Sequence, residues 1–216
     1  MYSGGAFALA EVRTQVVVLP EKHMNPPQLA LVVANPTEGL LYLVKEQSTA
    51  GTGDQWTDAS ALSDFPSFKG KVVDAVTLTG DDSQLHLVAR VGANFQYARF
   101  DFGARKWTSL TNIFTEPNAI GQHGHYIHQS GNHEVMVPLS EGGFTARLQD
   151  TGTGEWLPAA APRSTDTYQA VCILEDPFSG SMSLDMVALS GGAGGHLYQF
   201  FRPSWSTSYQ PRMRVY

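Results

Sequence analysis

The chain is poor in the residues that several kinds of site require. Cys172 is the only cysteine among 216 residues, so an intramolecular disulfide and a structural zinc site made of thiolates are both excluded. Charged residues make up only 16% of the chain, and lysine and arginine form no run. Because phosphate binding needs clustered basic side chains, the net charge of −6 argues against nucleic acid or a membrane surface as a partner.

Long apolar runs are also missing. No segment approaches the roughly 20 apolar residues of a membrane-spanning helix. The start, MYSGGAFALAEVRTQ, has neither the basic region nor the apolar length of a secretory signal. We therefore expect a soluble, cytoplasmic protein, with a secreted mature form as the alternative. The apolar sequence around Cys172, AVCILE, is typical of a buried strand and predicts an unreactive core thiol.

The tryptophans reveal an internal repeat. They lie at positions 56, 107, 156 and 205, at intervals of 51, 49 and 49 residues. Regular spacing of this kind indicates a repeat of about 50 residues. The composition includes 21 glycines and 12 prolines, which supply many turns and favour short strands over long helices. A tryptophan at the same place in every repeat predicts packing between repeats rather than four ligand platforms.

Each repeat has the pattern of four short strands. Two apolar or alternating runs joined by a turn precede each tryptophan, as in QLHLVARVGANFQYARFDFG, which is typical of a β-hairpin. Another apolar run lies upstream, as in VVDAVTLTG, and the tryptophan opens a fourth, as in KWTSL. This pattern predicts an all-β fold, a four-bladed β-propeller with four antiparallel strands per blade. A single domain would span residues 1–216, with blades at approximately 12–62, 70–113, 121–160 and 167–210.

Two segments are left outside the repeats, GAFALAEV near the start and RMRVY at the end. We expect one or both to pair across the seam between the first and last blades, because an open sheet edge invites association. The alternative is an open half-ring that forms a homodimer.

One polar position near the start of each inner strand suggests a binding site. Aligning the repeats places Gln15, Asp74, His125 and Gln169 at this position. Because inner strands surround the axis of a propeller, we expect these four side chains to bind a ligand at one mouth of the central channel. A metal ion in the channel, held by His123 and His125, is a further hypothesis. Asp74 and His125 would be the acid–base pair if the protein were an enzyme.

Four of the seven histidines lie in the run GQHGHYIHQSGNH, residues 121–133. Side chains alternate across a strand, so His123 and His125 should share one face and His128 should lie on the other. His133 should begin the next strand, after a Ser-Gly-Asn turn. The sequence therefore does not predict one complete zinc site.

Two families resemble parts of this pattern. DAV at residues 74–76, and more loosely QAV at 169–171, resemble the Asp-Ala pair that begins inner strands of hemopexin-like domains. That resemblance implies four blades and backbone carbonyls facing an ion-holding channel. The aromatic-Lys-Gly turn of those domains is missing, and their disulfide is excluded. QLHLVARVGANFQYARF followed by KWTSL resembles blades of bacterial and fungal propeller lectins, which implies sugar pockets between blades with an aromatic face and a few polar groups.

The functional prediction is a non-catalytic, lectin-like carbohydrate-binding propeller. Matched polar residues do not recur in every repeat, so four equal sugar sites are not predicted. An enzyme acting on a small molecule at the channel mouth is one alternative. A protein-interaction scaffold using the loops at 47–55 and 190–196 is another. The expected partner is a carbohydrate or another small molecule. No nucleophile elbow, phosphate-binding loop, HExxH or EF-hand motif supports a specific reaction.

Overall fold

The computed structural model describes most of the chain: residues 14–18, 28–35, 39–46, 56–60, 64–80, 83–128, 130–175, 183–191, 195–203, 208–210 and 213–215. The segment GAFALAEV, the loop at 47–55 and Trp205 lie outside these residues. The described residues form strands and turns, and none of them builds an apolar helix long enough to cross a bilayer. The chain forms two compact units, Met1–Asn112 and Ile113–Tyr216.

The first unit holds two antiparallel sheets whose strands follow one another along the chain. The first sheet consists of β1 (Thr14–Val18), β2 (Gln28–Asn35), β3 (Gly39–Glu46) and β4 (Trp56–Asp58). The second consists of β5 (Ala75–Gly80), β6 (Gln84–Val91), β7 (Asn94–Asp101) and β8 (Lys106–Trp107). A further strand, β9 (Thr111–Thr115), pairs with β7 as well.

The second unit repeats this arrangement. Its first sheet, the third of the chain, consists of β10 (Gly124–Ile127), β11 (His133–Pro138), β12 (Phe144–Gln149) and β13 (Trp156–Ala159). The fourth sheet consists of β14 (Tyr168–Glu175), β15 (Leu184–Ser190), β16 (Leu197–Arg202) and β17 (Met213–Arg214). Four antiparallel four-stranded meanders are the strand organisation of a four-bladed β-propeller, so the predicted fold class is confirmed. A single domain over residues 1–216 stays a prediction.

The end of the chain differs from the prediction. One or both of GAFALAEV and RMRVY were expected to pair across the seam, but β17 within RMRVY pairs with β16, in register with Tyr198 opposite Arg214. The outer strand of the fourth sheet, β17, thus comes from RMRVY. Pairing across the seam stays a prediction for GAFALAEV, which lies outside the described residues.

The core of the first unit is built from aromatic rings and aliphatic side chains of its two sheets. Trp107 is 2% exposed, and its ring centroid lies 5.3 Å from that of Tyr42 and 5.2 Å from that of Phe65, both edge-to-face. The Phe100 ring centroid lies 5.5 Å from that of Trp107. These are the distances at which aromatic pairs stabilise a core. The predicted packing role of the tryptophans is confirmed for Trp107.

The core of the second unit lies between the third and fourth sheets. Phe144 stacks on Tyr168 at a centroid distance of 4.5 Å and meets Phe200 edge-to-face at 5.6 Å. Aliphatic side chains from both sheets complete it: Met136, Ala146, Val171, Ile173, Leu184, Met186 and Ala188. One face of the third sheet is therefore held against one face of the fourth.

A glycine lets the third and fourth sheets approach each other. Gly121 has φ 58°, and a side chain there would collide with the carbonyl oxygen of Gln169. Next to it, the Gln122 amide donates to the Gln169 carbonyl at 2.7 Å, and the Val171 amide donates to the Gln122 carbonyl at 3.0 Å. Only glycine suits this combination of positive φ and close backbone. These bonds fix where β10 begins.

Cys172 is exposed, so the prediction of a core thiol is wrong. Along β14, Val171 and Ile173 are buried while Cys172 and Leu174 lie on the opposite, exposed face. The run AVCILE is apolar on both faces of its strand, which made it look fully buried in sequence. Partial burial nevertheless raises the pKa of the thiol.

Candidate functional site

The histidine-rich run divides between two faces of the third sheet, as its alternation predicts. His125 in β10 and His133, the first residue of β11, are both buried, and the His125 Nε2 lies 3.1 Å from the His133 Nδ1. Their rings stack at a centroid distance of 5.3 Å. His128 instead reaches the other face, where its Nε2 lies 2.9 Å from Oε2 of Glu134. Among the described residues, no three His, Cys, Asp or Glu side chains are grouped as metal ligands.

The ladders show that His125 does not occupy the position of Asp74. Along the second sheet, Trp107 pairs with Phe100 and Phe100 with Leu85. In the third sheet, moving from Trp156 across the same number of strands leads to His133, which therefore corresponds to Leu85. In the same way, His125 corresponds to Leu78. The two stacked histidines therefore replace two core leucines. This differs from the sequence alignment of His125 with Asp74, which matched Gly80 at the end of β5 with Gly131, although Gly131 lies in the turn after β10.

The other residues predicted at the channel mouth have local roles. Gln15 lies in β1 opposite Val32. The Asp74 Oδ2 accepts a hydrogen bond of 2.7 Å from the Gly92 amide and lies 4.0 Å from Nη1 of Arg90. The Asp74 carboxylate therefore supports the turn between β6 and β7.

Gln169 is exposed at the irregular start of β14, where its carbonyl accepts from the Gln122 amide. His123 is buried, at 1% exposure. That Gln15, Asp74, His125 and Gln169 ring a channel mouth, and that His123 and His125 hold a metal ion, both stay predictions.

The second unit contains a cluster of charged and aromatic side chains that the sequence did not point to. His128 follows β10, Glu134 lies in β11, Arg202 ends β16, and Tyr209 lies between β16 and β17. We call these four residues the Glu134 cluster. β11 and β16 belong to different sheets, so the cluster lies between two blades of the same unit.

Glu134 is a buried carboxylate with two partners. It is 1% exposed, and its Oε2 accepts from Nη2 of Arg202 at 2.8 Å and from Nε2 of His128 at 2.9 Å. Nη1 of Arg202 lies 3.4 Å from Oε1. Burial raises the pKa of Glu134, but the hydrogen bonds and charges of His128 and Arg202 outweigh it and leave the pKa below its usual value. Glu134 is therefore ionised at neutral pH.

Aromatic rings flank both partners of Glu134. The Arg202 guanidinium lies 5.1 Å from the centroid of the Tyr209 ring, a cation–π contact. The Tyr126 ring meets His128 edge-to-face at 5.0 Å. Burial, and then the charge of Glu134, raise the pKa of Tyr209 although Arg202 opposes them. The Tyr209 hydroxyl is near the carboxylate, yet it makes no hydrogen bond of standard geometry with the described residues.

The same place in the first unit is apolar. Arg202 and Tyr209 correspond to Phe100 and Trp107, because matching backbone hydrogen bonds lie beside the two pairs: Gln210 to Phe201 at 2.6 Å, and Thr108 to Arg99 at 2.8 Å. At equivalent positions, the first unit thus has the aromatic pair Phe100 and Trp107, and the second unit has the cation–π pair Arg202 and Tyr209. A buried ion pair seldom stabilises more than apolar side chains of similar volume. The fold therefore does not require the charges.

The cluster offers hydrogen-bonding groups at its edge. The side chain of Arg202 is 16% exposed and that of His128 is 19% exposed, whereas that of Glu134 is 1% exposed. Among the described residues, both side-chain hydrogen bonds of Arg202 go to Glu134. Because a guanidinium carries five N–H donors, these two bonds leave three of them unused. Beneath the Arg202 guanidinium, the Oε1 of Glu134 accepts, within the described part of the chain, only the 3.4 Å hydrogen bond from Nη1.

Glu134 makes a testable contribution to pH-dependent stability. Since its pKa is lowered in the folded protein, the stability it contributes is present above the unfolded pKa of about 4.3 and is lost as the pH falls through the folded value. Urea unfolding between about pH 3 and 6 should therefore show a smaller loss of stability in acid for Glu134→Gln than for wild type. The exposed Glu141→Gln is the control and should follow wild type. Equal slopes for all three proteins would contradict the ionised, paired state of Glu134.

Comparisons with known proteins support the fold. No protein-family model matches the chain, and no curated protein matches it in sequence. A protein of unknown function from Dyadobacter fermentans matches in structure with a TM-score of 0.63 and 11% identity, over 94% of this chain and 69% of the other. A triple Arg-to-Ala mutant of AofleA from Arthrobotrys oligospora matches with a TM-score of 0.50 and 8% identity, over 94% and 74% of the two chains.

A leech intramolecular trans-sialidase is a more distant match. Its TM-score is 0.48 at 13% identity, over 83% of this chain and 30% of the other. At such identities, likeness extends to the fold alone. The chain therefore shares its all-β fold with proteins very different in sequence, and the inference of function comes from the Glu134 cluster.

Proposed function

We propose that the protein binds carbohydrate without catalysis, at the Glu134 cluster between its third and fourth sheets. The observation that carries the proposal is the buried, partly open Glu134–Arg202 pair at a place where the first unit has only aromatic rings. Lectin-like binding between blades is also what the resemblance of the blade sequences implies. A single cluster agrees with the absence of matched polar residues in all four repeats.

The chemistry of the cluster suits a polyhydroxylated ligand. A sugar hydroxyl accepts as well as donates, so a hydroxyl at the partly exposed edge can accept from Arg202 donors that the two bonds to Glu134 leave unused. The half-buried rings of Tyr126 and Tyr209 border the cluster and would give the C–H side of a sugar ring an apolar contact. A few convergent polar groups beside aromatic surface are the usual composition of a small-molecule site.

The same geometry argues against glycoside hydrolysis at this place. Glycosidases generally use two carboxyl groups, one of them protonated as the acid. The described residues of the cluster contain one carboxyl group, and its pKa is lowered, so it is not a proton donor at neutral pH. Binding without reaction is therefore the activity that we assign to the cluster.

A glycan array followed by titration tests the proposal. Wild type should bind at least one glycan, and Arg202→Lys should weaken that binding about tenfold or more, because lysine keeps the charge but loses the planar fork of donors. Arg214→Lys is the matched control, since Arg214 is exposed and bonded to His196 in the same unit. Circular dichroism would show that each variant is folded. Wild type without any glycan ligand, or Arg202→Lys binding as well as wild type, would reject the proposal.

A further inference from the structure

We propose that the second unit has a further binding site, which takes a carboxylate attached to a ring. Its residues are Phe114, Arg147 and Trp156, and we call them the Arg147 site. They lie on the opposite face of the third sheet from Glu134. Binding here therefore does not depend on the carbohydrate binding assigned to the Glu134 cluster.

The strand register separates the two sites. In β12, Arg147 and Gln149 are two residues apart and so belong to the same face of the sheet. Gln149 pairs with Trp156 of β13, and Arg147 pairs with Val135 of β11. Glu134 precedes Val135 and belongs to the other face. The third sheet itself thus stands between the Arg147 site and the Glu134 cluster.

An aromatic ring holds the Arg147 guanidinium. The central carbon of the guanidinium lies 5.6 Å from the centroid of the Phe114 ring, a cation–π contact. The centroid of the Phe114 ring lies 6.2 Å from that of Trp156, with the two planes tilted by 49°. All three side chains are half-buried, so solvent reaches part of each. A charged group thus lies beside two apolar ring surfaces.

No acid compensates the charge of Arg147. Among the described residues, its side chain makes no ion pair and no hydrogen bond, and it contacts only the Phe114 ring in this way. In the same unit, Arg202 is paired with Glu134. A ring orients a guanidinium without neutralising it, so Arg147 keeps its positive charge and all five N–H donors for a ligand. Partial removal of such a cation from water is costly until an anion pairs with it.

These features favour a planar anion with a single charge. The two oxygens of a carboxylate can accept two parallel N–H bonds from the fork of a guanidinium. One uncompensated positive charge matches one negative charge, whereas a phosphate ester carries about two at neutral pH. The Trp156 ring beside the guanidinium gives a ring on the ligand an apolar face to pack against. A carboxylate on a sugar ring and a carboxylate on an aromatic ring share this chemistry.

The test follows the indole N–H signal of Trp156 in a two-dimensional NMR titration at neutral pH, and Trp156→Phe identifies that signal by its loss. Benzoate would be compared with benzyl alcohol, and glucuronate with glucose. At least one acid should bind about tenfold more tightly than its neutral partner, because only the acid gains the ionic bond to Arg147. The pair that shows the preference identifies the kind of ring. Acetate, which has no ring, should bind more weakly than that acid.

Two variants of Arg147 and a matched control assign the effect. Arg147→Met should bind the acid no better than its neutral partner, and Arg147→Lys should weaken binding of the acid about threefold or more, because lysine lacks the planar fork. Arg163→Met is the control: Arg163 is exposed in the same unit, and within the described part of the chain it makes no ring contact or ion pair. This variant should bind like wild type. Circular dichroism would show that each variant is folded.

Three results would overturn the inference: equal binding of both acids and their neutral partners, a preference that survives in Arg147→Met, or loss of the preference in Arg163→Met. Acetate that binds as tightly as the ring acids would contradict the contact with Trp156. Arg202→Lys, which tests the Glu134 cluster, should leave binding of the acid unchanged. The two sites are thus tested separately, and failure of one leaves the other standing.

Discussion

Replacing Arg202 with methionine should lower the free energy of unfolding by about 3–5 kcal/mol, because Glu134 would remain as a buried carboxylate without its bidentate partner. Urea unfolding at neutral pH measures the loss. Arg214→Met removes an exposed arginine of the same sheet and should change stability by less than about 0.5 kcal/mol. A methionine variant as stable as wild type would mean that Glu134 does not depend on Arg202.

A paired replacement separates stability from binding. Glu134→Leu with Arg202→Phe copies the apolar character of the first unit, where Phe100 stands in the place of Arg202. Such a protein should recover most of the stability that Arg202→Met loses, because exchanging a whole buried ion pair for apolar side chains is often neutral or stabilising. It should also bind no glycan. Recovery of both stability and binding would place the sugar site elsewhere.

Replacing Trp107 with alanine should lower the free energy of unfolding by a similar amount, about 3–5 kcal/mol, since it removes the ring against which Tyr42, Phe65 and Phe100 pack. Urea unfolding again gives the measurement. Trp156→Ala is the matched control: Trp156 is only half-buried, with ring contacts to Phe114 at 6.2 Å and His133 at 6.3 Å. An equal loss for both variants would show that the burial of the tryptophan does not decide how much it contributes to the free energy of unfolding.

The fold was predictable because its signals are local. Each hairpin joins strands that are neighbours in sequence, and alternation within a strand places His125 and His128 on opposite faces without knowledge of any other strand. The regular spacing of the tryptophans then gave the number of repeats. Even so, alternation failed to show which face is buried for β14, where Val171, Cys172, Ile173 and Leu174 are all apolar.

The site was not predictable in the same way, because its contacts are distant in sequence. Glu134 and Arg202 are 68 residues apart, and no local pattern joins them. The repeat alignment that could have revealed Arg202 at the place of Phe100 depends on turn lengths. The last pair of the hairpin is Val91 with Asn94 in the second sheet and Leu189 with Leu197 in the fourth, so the two hairpin turns differ in length. A shift of one residue moves every side chain to the opposite face of its strand, so equivalent positions are missed.

The outer strands have a consequence for how the protein behaves at high concentration. β8 and β17 are two residues long, and β4 is three. The four-residue β13 contains Pro158, which has no amide hydrogen to donate. A free strand edge recruits other chains into fibrils when it is long and flat, and each of these edges offers only a few backbone groups. The outer edges of the described sheets are thereby protected against edge-to-edge aggregation by the shortness of their own strands.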